Sequence, residues 1–342
     1  MNRAVLFYAG MILASSIFSR AASDDPSAFT RYEFTQPQMG VPFKIILYAQ
    51  EDGPAETAAK AAFKRIRELN SILSDYDPDS ELSLLSKSSG TGASQSVSPE
   101  LWFVLEKAQQ LSAASDGAFD VTVGPCIELW RQARRTHRFP DQKKLSAARS
   151  KIGFTNIVFH PGNRSVELRR AGMQLDLGGI AKGYAADEAI KVLQQHGITR
   201  AFVAGSGDMA FNDPPPGQKG WRIEVAPLDV TNAPPKLFVT LAHAGIATSG
   251  DIFQRVELDG KRYSHIVDPK TGIGLTDHSL VTVIAPTGID ADGLATAISV
   301  LGPEKGLKLL ERFPGAAAHI VRLIDGKIQT RESENFRNWT RY

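Results

Sequence analysis

Strand-like runs in this chain come in clusters set between amphipathic helices instead of alternating with them one for one, and that order narrows the fold more than any other feature. Residues 43–49 form a β-branched and aromatic run that stops at the turn signal Glu51-Asp52-Gly53-Pro54. Ala58, Ala62, Ile66, Leu69 and Leu73 then recur at helical spacing among charged residues. Leu101, Leu105, Ala108 and Leu111 mark a second helix that ends near Asp116-Gly117. Three short strands are expected at 157–159, 166–168 and 173–175, the last leading into a helix that runs to about His196 with Gly197 as its C-cap. Residues 201–204 read as a buried strand, and 222–226, 237–241 and 245–248 as continuations of the same sheet. A strand at 280–285, helices at 291–301 and 303–313 and a last strand at 318–323 complete the pattern. This order predicts an α+β fold with mixed, largely antiparallel sheets and packed helices, not a regular βαβ winding.

Such a fold must be held by its core. Cys126 is the only cysteine in 342 residues, so no intramolecular disulfide and no multi-cysteine metal site can form. As an unpaired cysteine it is expected to be small and buried. Phe34, Trp102, Trp130 and Trp221 are expected in the core or between lobes, not stacked on a ligand. Lysines and arginines number 39 against 37 acids, with no run of five like charges, which makes nucleic acid a poor candidate partner.

The first residues are of a different kind. Arg3 precedes an apolar run over 4–18, and Ser19-Arg20-Ala21-Ala22-Ser23 supplies small residues for cleavage. The run is shorter than the roughly 20 residues a membrane helix needs, so residues 1–22 read as a secretory signal cleaved near Ala21 or Ala22, in preference to an uncleaved anchor, and 23–342 as the mature chain. The expected location is periplasmic or at the outer face of the cytoplasmic membrane. Lipid attachment through an N-terminal cysteine is not expected, since none lies near the cleavage region.

Three segments could carry chemistry. In Asp176-Leu177-Gly178-Gly179-Ile180-Ala181-Lys182-Gly183 a strand passes through two glycines into a helix N-terminus, where free N–H groups suit a phosphate and Lys182 adds charge; the same residues also read as a tight turn with a capping Asp. Asp292 and Thr296 are four apart, so a carboxylate and a hydroxyl share one helix face, a donor pair that magnesium could complete with phosphate oxygens and water. The alternative is a helix cap and a packed threonine. Tyr263, Ser264, His265, Asp268 and Thr271 crowd a glycine- and proline-bounded stretch in which His265 could act as a general base or be structural. Together these suggest chemistry at a phosphoanhydride, and spacing goes no further.

Beyond those three segments, the chain resembles the ApbE family of FAD:protein FMN transferases, in order and over nearly all of the mature chain. The matching stretches are Met39-Gly40, 73–82, 117–125 with Leu129-Trp130, 176–184, 205–208, 247–251, 263–272 and 291–296. The resemblance implies a two-lobed fold and a Mg2+-dependent enzyme that splits FAD, transfers FMN to a Thr or Ser hydroxyl of an exported flavoprotein and releases AMP. Carried over by motif position, Met39, Tyr76, Ala118, Phe119, Asp120, Asp176, Lys182 and His265 would hold FAD, while the Gly179 carbonyl, Asp292 and Thr296 would bind Mg2+. His265 would take the acceptor proton, assisted by Asp251. The competing readings are a FAD pyrophosphatase giving FMN and AMP, and a non-catalytic exported flavin carrier.

Overall fold

The structure, a computed structural model, describes residues 26–228, 237–250 and 254–340. The expected export segment at 1–22 and Asp251 lie outside these residues. Two strands, β1 (Thr30–Gln38) and β2 (Val41–Ala49), open the fold as a hairpin. Met39 (φ 49°) and Gly40 (φ 76°) are both left-handed at its turn, the conformation a two-residue hairpin loop requires. The sequence of β1 reads as a polar lead-in. It is an edge strand whose alternate residues, Tyr32 and Phe34 among them, are only half-buried, so its period-two signal is faint.

Six further strands join this hairpin: β6 (Ala201–Gly205), β7 (Asp208–Phe211), β10 (Ala244–Gly250), β13 (Ser279–Ala285), β14 (Ala317–Ile324) and β15 (Lys327–Glu332). Together they make a single antiparallel sheet of eight strands in the order β1-β2-β6-β7-β10-β13-β14-β15. β15 follows the strand that sequence expects to be last; it is largely exposed and lacks an apolar face to announce it. Helices α1 (Asp52–Leu73), α6 (Ala181–Gln195) and α7 (Gly288–Leu301) cover one face of the sheet, with α8 (Pro303–Leu310) beside α7. Phe43, Ile45, Leu47, Phe63, Ile66, Leu193, Val283 and Leu294 belong to the core between them.

The opposite face is covered by a separate hairpin, β8 (Trp221–Val225) with β9 (Leu237–Leu241), and by Phe336. These two strands therefore do not continue the main sheet as expected: they pack across it through Trp221, Val239 and Leu241. The short helix α2 (Glu81–Lys87), helix α3 (Pro99–Ala114) and a three-stranded sheet of β3 (Gln95–Ser96), β4 (Ile157–His160) and β5 (Ser165–Leu168) extend the main core. Residues 173–175 are not a strand. Met173 and Leu175 are buried there, but the segment makes only one bridge, Val123 with Gln174.

A smaller body has its own apolar cluster around Trp130, Cys126, Leu145 and Tyr263. It consists of α4 (Gly124–Thr136), α5 (Gln142–Arg149), β11 (Arg255–Leu258) and β12 (Lys261–Ser264). Cys126 is fully buried in it, and burial raises its thiol to about 11. Trp130 and Trp221 are buried and Phe34 and Trp102 pack against the core, as expected.

The helices that carry the candidate chemistry touch backbone to backbone. A Cβ on Gly183 in α6 would collide with the carbonyl oxygen of Gly288 in α7, and a Cβ on Gly288 would stand 2.6 Å from the Gly183 oxygen. Alanine in a helix normally gains about 1 kcal/mol over glycine, but overpacking costs about 1–3 kcal/mol, and here the obstacle is backbone that has no rotamer to change. Gly183→Ala is therefore expected to lower the thermal denaturation midpoint; an unchanged or raised midpoint would show that α6 and α7 separate freely.

Candidate active site

Eleven of the twelve residues singled out by the sequence line one cavity of about 1280 Å3: Met39, Tyr76, Ala118, Phe119, Asp120, Asp176, Gly179, Lys182, His265, Asp292 and Thr296. The twelfth is Asp251. The volume exceeds the ~300–1,000 Å3 usual for small-molecule sites, leaving room for a dinucleotide and part of a second reactant. None of Phe34, Trp102, Trp130 and Trp221 lines it.

At the floor, α6 and α7 bring together three oxygen-bearing residues from distant stretches. The Gly183 N–H donates to Asp292 Oδ2 at 3.0 Å, which ties the carboxylate to the first turn of α6. A Cβ on Gly179 would stand 2.9 Å from Thr296 Oγ1, so glycine is what lets this backbone approach the threonine. Ser249 Oγ lies 3.4 Å from the same hydroxyl. One carboxylate, one hydroxyl and one backbone carbonyl are hard oxygen donors of the kind that hold a small divalent cation together with phosphate oxygens.

The electrostatics point the same way. Asp292 and Asp208 are both buried, and burial followed by repulsion from Asp208 pushes Asp292 up to about 7. Burial likewise raises Asp208, against the pull of Lys182, whose Nζ lies 3.1 Å from Asp208 Oδ2. Burial opposes the charge on Lys182, but Asp208, Asp292 and Asp176 outweigh it and raise the ammonium above its ordinary range. One lysine against buried carboxylates leaves the floor short of positive charge, and a bound cation would supply it.

The wall is set by α4. Arg131 joins Asp75 to Asp176, the latter at 2.8 Å, and its guanidinium lies 4.0 Å from the centre of the Tyr76 ring. Tyr76 is 74% exposed, so this cation–π contact is what holds an otherwise free ring over the opening. Asp176 also accepts from the Gly178 N–H at 2.8 Å. It thus makes the tight turn expected of a capping Asp while facing the cavity. Burial and then Asp176 raise Asp75 to about 6.

Residues 118–120 are fixed from behind. Asp120 Oδ1 accepts from the N–H and hydroxyl of Thr122, at 2.8 and 2.6 Å, and Oδ2 accepts from the Phe154 N–H at 2.9 Å. Its carboxylate is a buttress for the loop that presents Ala118 and Phe119 to the cavity.

His265 lines the same cavity. Its Nδ1 is 3.1 Å from the Gln254 carbonyl oxygen. A carbonyl only accepts, so Nδ1 carries the proton and Nε2 keeps its lone pair. Burial, and the repulsion of Arg134 and Lys182, lower His265 to about 4, so the ring is neutral at physiological pH. The neighbouring residues are structural: Tyr263 packs on Trp130, Asp268 accepts from the Lys270 N–H and the Thr271 hydroxyl, and the Trp130 indole donates to the Gly272 carbonyl at 2.8 Å.

Arg131, Arg134, Asp208, Ser249 and Gln254 complete the site and are not among the ligands expected from sequence. Cys126, Trp130 and Ala133, buried at i, i+4 and i+7, are the periodic signal by which α4 and its arginines could have been found.

Comparison with known proteins accords with this geometry. Residues 39–320 match the model of the ApbE family. A curated FAD:protein FMN transferase of Escherichia coli (strain K12) is 34% identical over 284 residues, 78% of this chain and 75% of the relative. One of Vibrio cholerae is 30% identical over 321 residues, 92% of this chain and 94% of the relative. Among solved structures, the flavinyl transferase ApbE of Pseudomonas stutzeri in its apo form superposes with a TM-score of 0.80 at 32% identity, covering 91% of this chain and 97% of that one. The flavin transferase ApbE of Vibrio cholerae gives 0.82 at 28% identity, covering 91% and 99%. A family match that spans nearly all of the cavity-forming region, with relatives similar along most of their length, places this chain in the ApbE family.

Proposed function

We propose that this chain is a FAD:protein FMN transferase that moves the FMN moiety of FAD to a Thr or Ser hydroxyl of an acceptor flavoprotein and releases AMP. The observation that carries the reading is the presence in one cavity of the Gly179, Asp292 and Thr296 donor set and of His265, whose Nδ1 is turned to the Gln254 carbonyl so that Nε2 keeps its lone pair. The acceptor oxygen attacks the FMN phosphorus, the bond from that phosphorus to the AMP oxygen breaks, and the hydroxyl proton passes to His265 Nε2. Gly179, Asp292 and Thr296 would hold Mg2+, which when bound offsets charge on the pyrophosphate as AMP leaves. Lys182 keeps a fixed positive charge beside the same floor, and Asp208 keeps it oriented. Tyr76, held by Arg131, and the loop at 118–120 cover the flavin nucleotide. Asp251 assists His265 in this reading.

The test is incubation with FAD, Mg2+ and a domain bearing a flavinylation-type threonine, with AMP and acceptor mass read together. An acceptor heavier by FMN less water, with equal AMP, is the expected result. AMP with free FMN and an unmodified acceptor would make the chain a pyrophosphatase, and intact FAD after long incubation would make it a flavin carrier.

The pH dependence follows from His265. Its folded value of about 4 lies below the ordinary 6.5, so the base is already neutral above about pH 4. Measured at saturating Mg2+, which would hold Asp292 in its ionised form, the rate constant kcat/KM for FAD is expected to be level through neutrality and to fall about tenfold per pH unit below 4. For stability the sign is the same: between 6.5 and 4 only the unfolded chain binds this proton, so the His265 contribution is lost as pH falls through that window. An acid limb centred near 6.5 that persists at saturating Mg2+ and vanishes in His265→Ala would show that the histidine is not held neutral by its surroundings.

We also propose that residues 1–22 direct export and are removed, so that the enzyme works on the periplasmic side. The mass of the protein recovered from that compartment tests this: loss of about the first 22 residues is expected.

A further inference from the structure

One hairpin tip at the cavity breaks the conformational pattern of the others. Met39-Gly40, Asp259-Gly260 and Asp325-Gly326 each join two paired strand ends with both residues left-handed and the glycine second. Ser206-Gly207, the tip between β6 and β7, closes on the pair of Gly205 with Asp208 and is left-handed only at its first residue, where φ is 63°. A tip of that kind calls for glycine first, because a Cβ there crowds the following carbonyl. The residues on either side are held to glycine by packing: a Cβ on Gly205 would collide with the Phe43 ring, and one on Gly207 would stand 3.2 Å from the Thr248 carbonyl oxygen. Ser206 alone of the three carries a side chain, at a backbone angle that disfavours one. It is exposed, lines the active-site cavity and makes no side-chain hydrogen bond with the described residues.

We infer that the Ser206 hydroxyl binds a phosphate oxygen of FAD. The inference rests on the reading of this cavity as a FAD site. Backbone strain gathers at ligand-binding positions, where a side chain is kept for what it contacts and not for the conformation it imposes. The place of the tip selects the part of FAD it meets. On one side Asp208, which follows the tip, holds Lys182 Nζ at 3.1 Å. On the other, Gly207 abuts Thr248, and the next residue, Ser249, places its Oγ 3.4 Å from Thr296 Oγ1. The tip therefore borders both the lysine and the donor set, the two features that would hold the pyrophosphate. A hydroxyl at this point donates to an anionic oxygen in a charge-assisted bond and adds no positive charge that would compete with Lys182 for Asp208.

Two substitutions separate the hydroxyl from the turn. Ser206→Gly removes the hydroxyl and relieves the backbone, whereas Ser206→Ala removes the hydroxyl and keeps the strain. The protein is titrated with ADP in the presence of Mg2+. ADP carries the diphosphate without the flavin and yields no FMN, so binding is read whether or not transfer occurs. Both variants are expected to bind ADP about tenfold more weakly than the wild type. The denaturation midpoint should rise by about 1–2 °C in Ser206→Gly and stay level in Ser206→Ala. In the transfer assay both should raise KM for FAD about tenfold with kcat held. Weaker binding in a more stable protein is a combination that a merely structural serine would not produce. Unchanged ADP affinity in either variant overturns the proposal, and if FAD affinity falls while ADP affinity holds, the hydroxyl belongs to the ribityl chain instead. Loss of affinity that tracks a lowered midpoint in both variants would assign Ser206 to the turn alone. Tenfold weaker ADP binding in a protein that transfers no FMN would overturn the transferase reading and leave the phosphate contact standing.

Discussion

Asp292→Asn is expected to lower AMP release from FAD by about two to three orders of magnitude, the loss of about 2.7–4 kcal/mol typical when a group aimed at developing charge is removed. The choice of asparagine separates chemistry from folding. Asp292 is 2% exposed, and its hydrogen-bonding duty in the scaffold is to accept from the Gly183 N–H at 3.0 Å. An amide oxygen takes over that bond at nearly the same volume, whereas the negative charge is gone. Because Asp292 is already pushed up by burial and by Asp208, losing its charge relieves repulsion in the ligand-free protein, so thermal stability should hold. A second readout follows from mass action. Mg2+ with FAD should raise the denaturation midpoint of the wild type, since they bind only the folded state, and should raise that of the variant far less. A variant that turns over FAD at the wild-type rate would remove Asp292 from the cation site and with it the role of Thr296 one turn away.

That pair illustrates what a sequence can disclose. Residues four apart on a helix share a face whatever the rest of the fold does, so Asp292 and Thr296 are legible as a pair from spacing alone. Gly179 meeting Thr296 is not: their approach depends on α6 and α7 crossing at Gly183 and Gly288, a tertiary event with no local periodicity. Strands divide in the same way. β13, fully buried, is plain as an apolar run, whereas β1 and β15 at the sheet edges are hidden by their exposure. The hairpin of β8 and β9 is legible as two strands but not as a sheet of its own, because pairing partners are set by packing on Phe336 and Phe211 and not by composition. Arg131 is hidden for a related reason. Its partners, Asp75 and Asp176, are 56 and 45 residues away, and only the folded chain shows that one guanidinium organises Tyr76 and the glycine turn together.

His265→Ala carries the other large effect, an expected fall of about 10²–10⁴ in the rate of FMN transfer, the usual contribution of a positioned general base. The geometry makes the substitution interpretable. His265 bonds to the scaffold through Nδ1 and the Gln254 carbonyl, and its backbone N–H donates to that same oxygen at 2.9 Å. The backbone bond survives in alanine, so the loop should stay in place against Trp130 and FAD should bind with little change. Exogenous imidazole, small enough to enter the vacated space, should restore part of the rate if proton transfer is what was lost, and restore none if the ring only packed against the flavin nucleotide. The pH profile provides an independent check, because the acid limb near 4 belongs to this imidazole and should vanish with it. A histidine held neutral by burial and by two nearby cations is a weak base in bulk terms. It is a useful one here because the same cations, Arg134 and Lys182, that lower its affinity for a proton also favour the phosphate charge that replaces their repulsion once FAD is bound. Loss of less than fivefold in transfer would therefore sink the base assignment even if FAD affinity dropped.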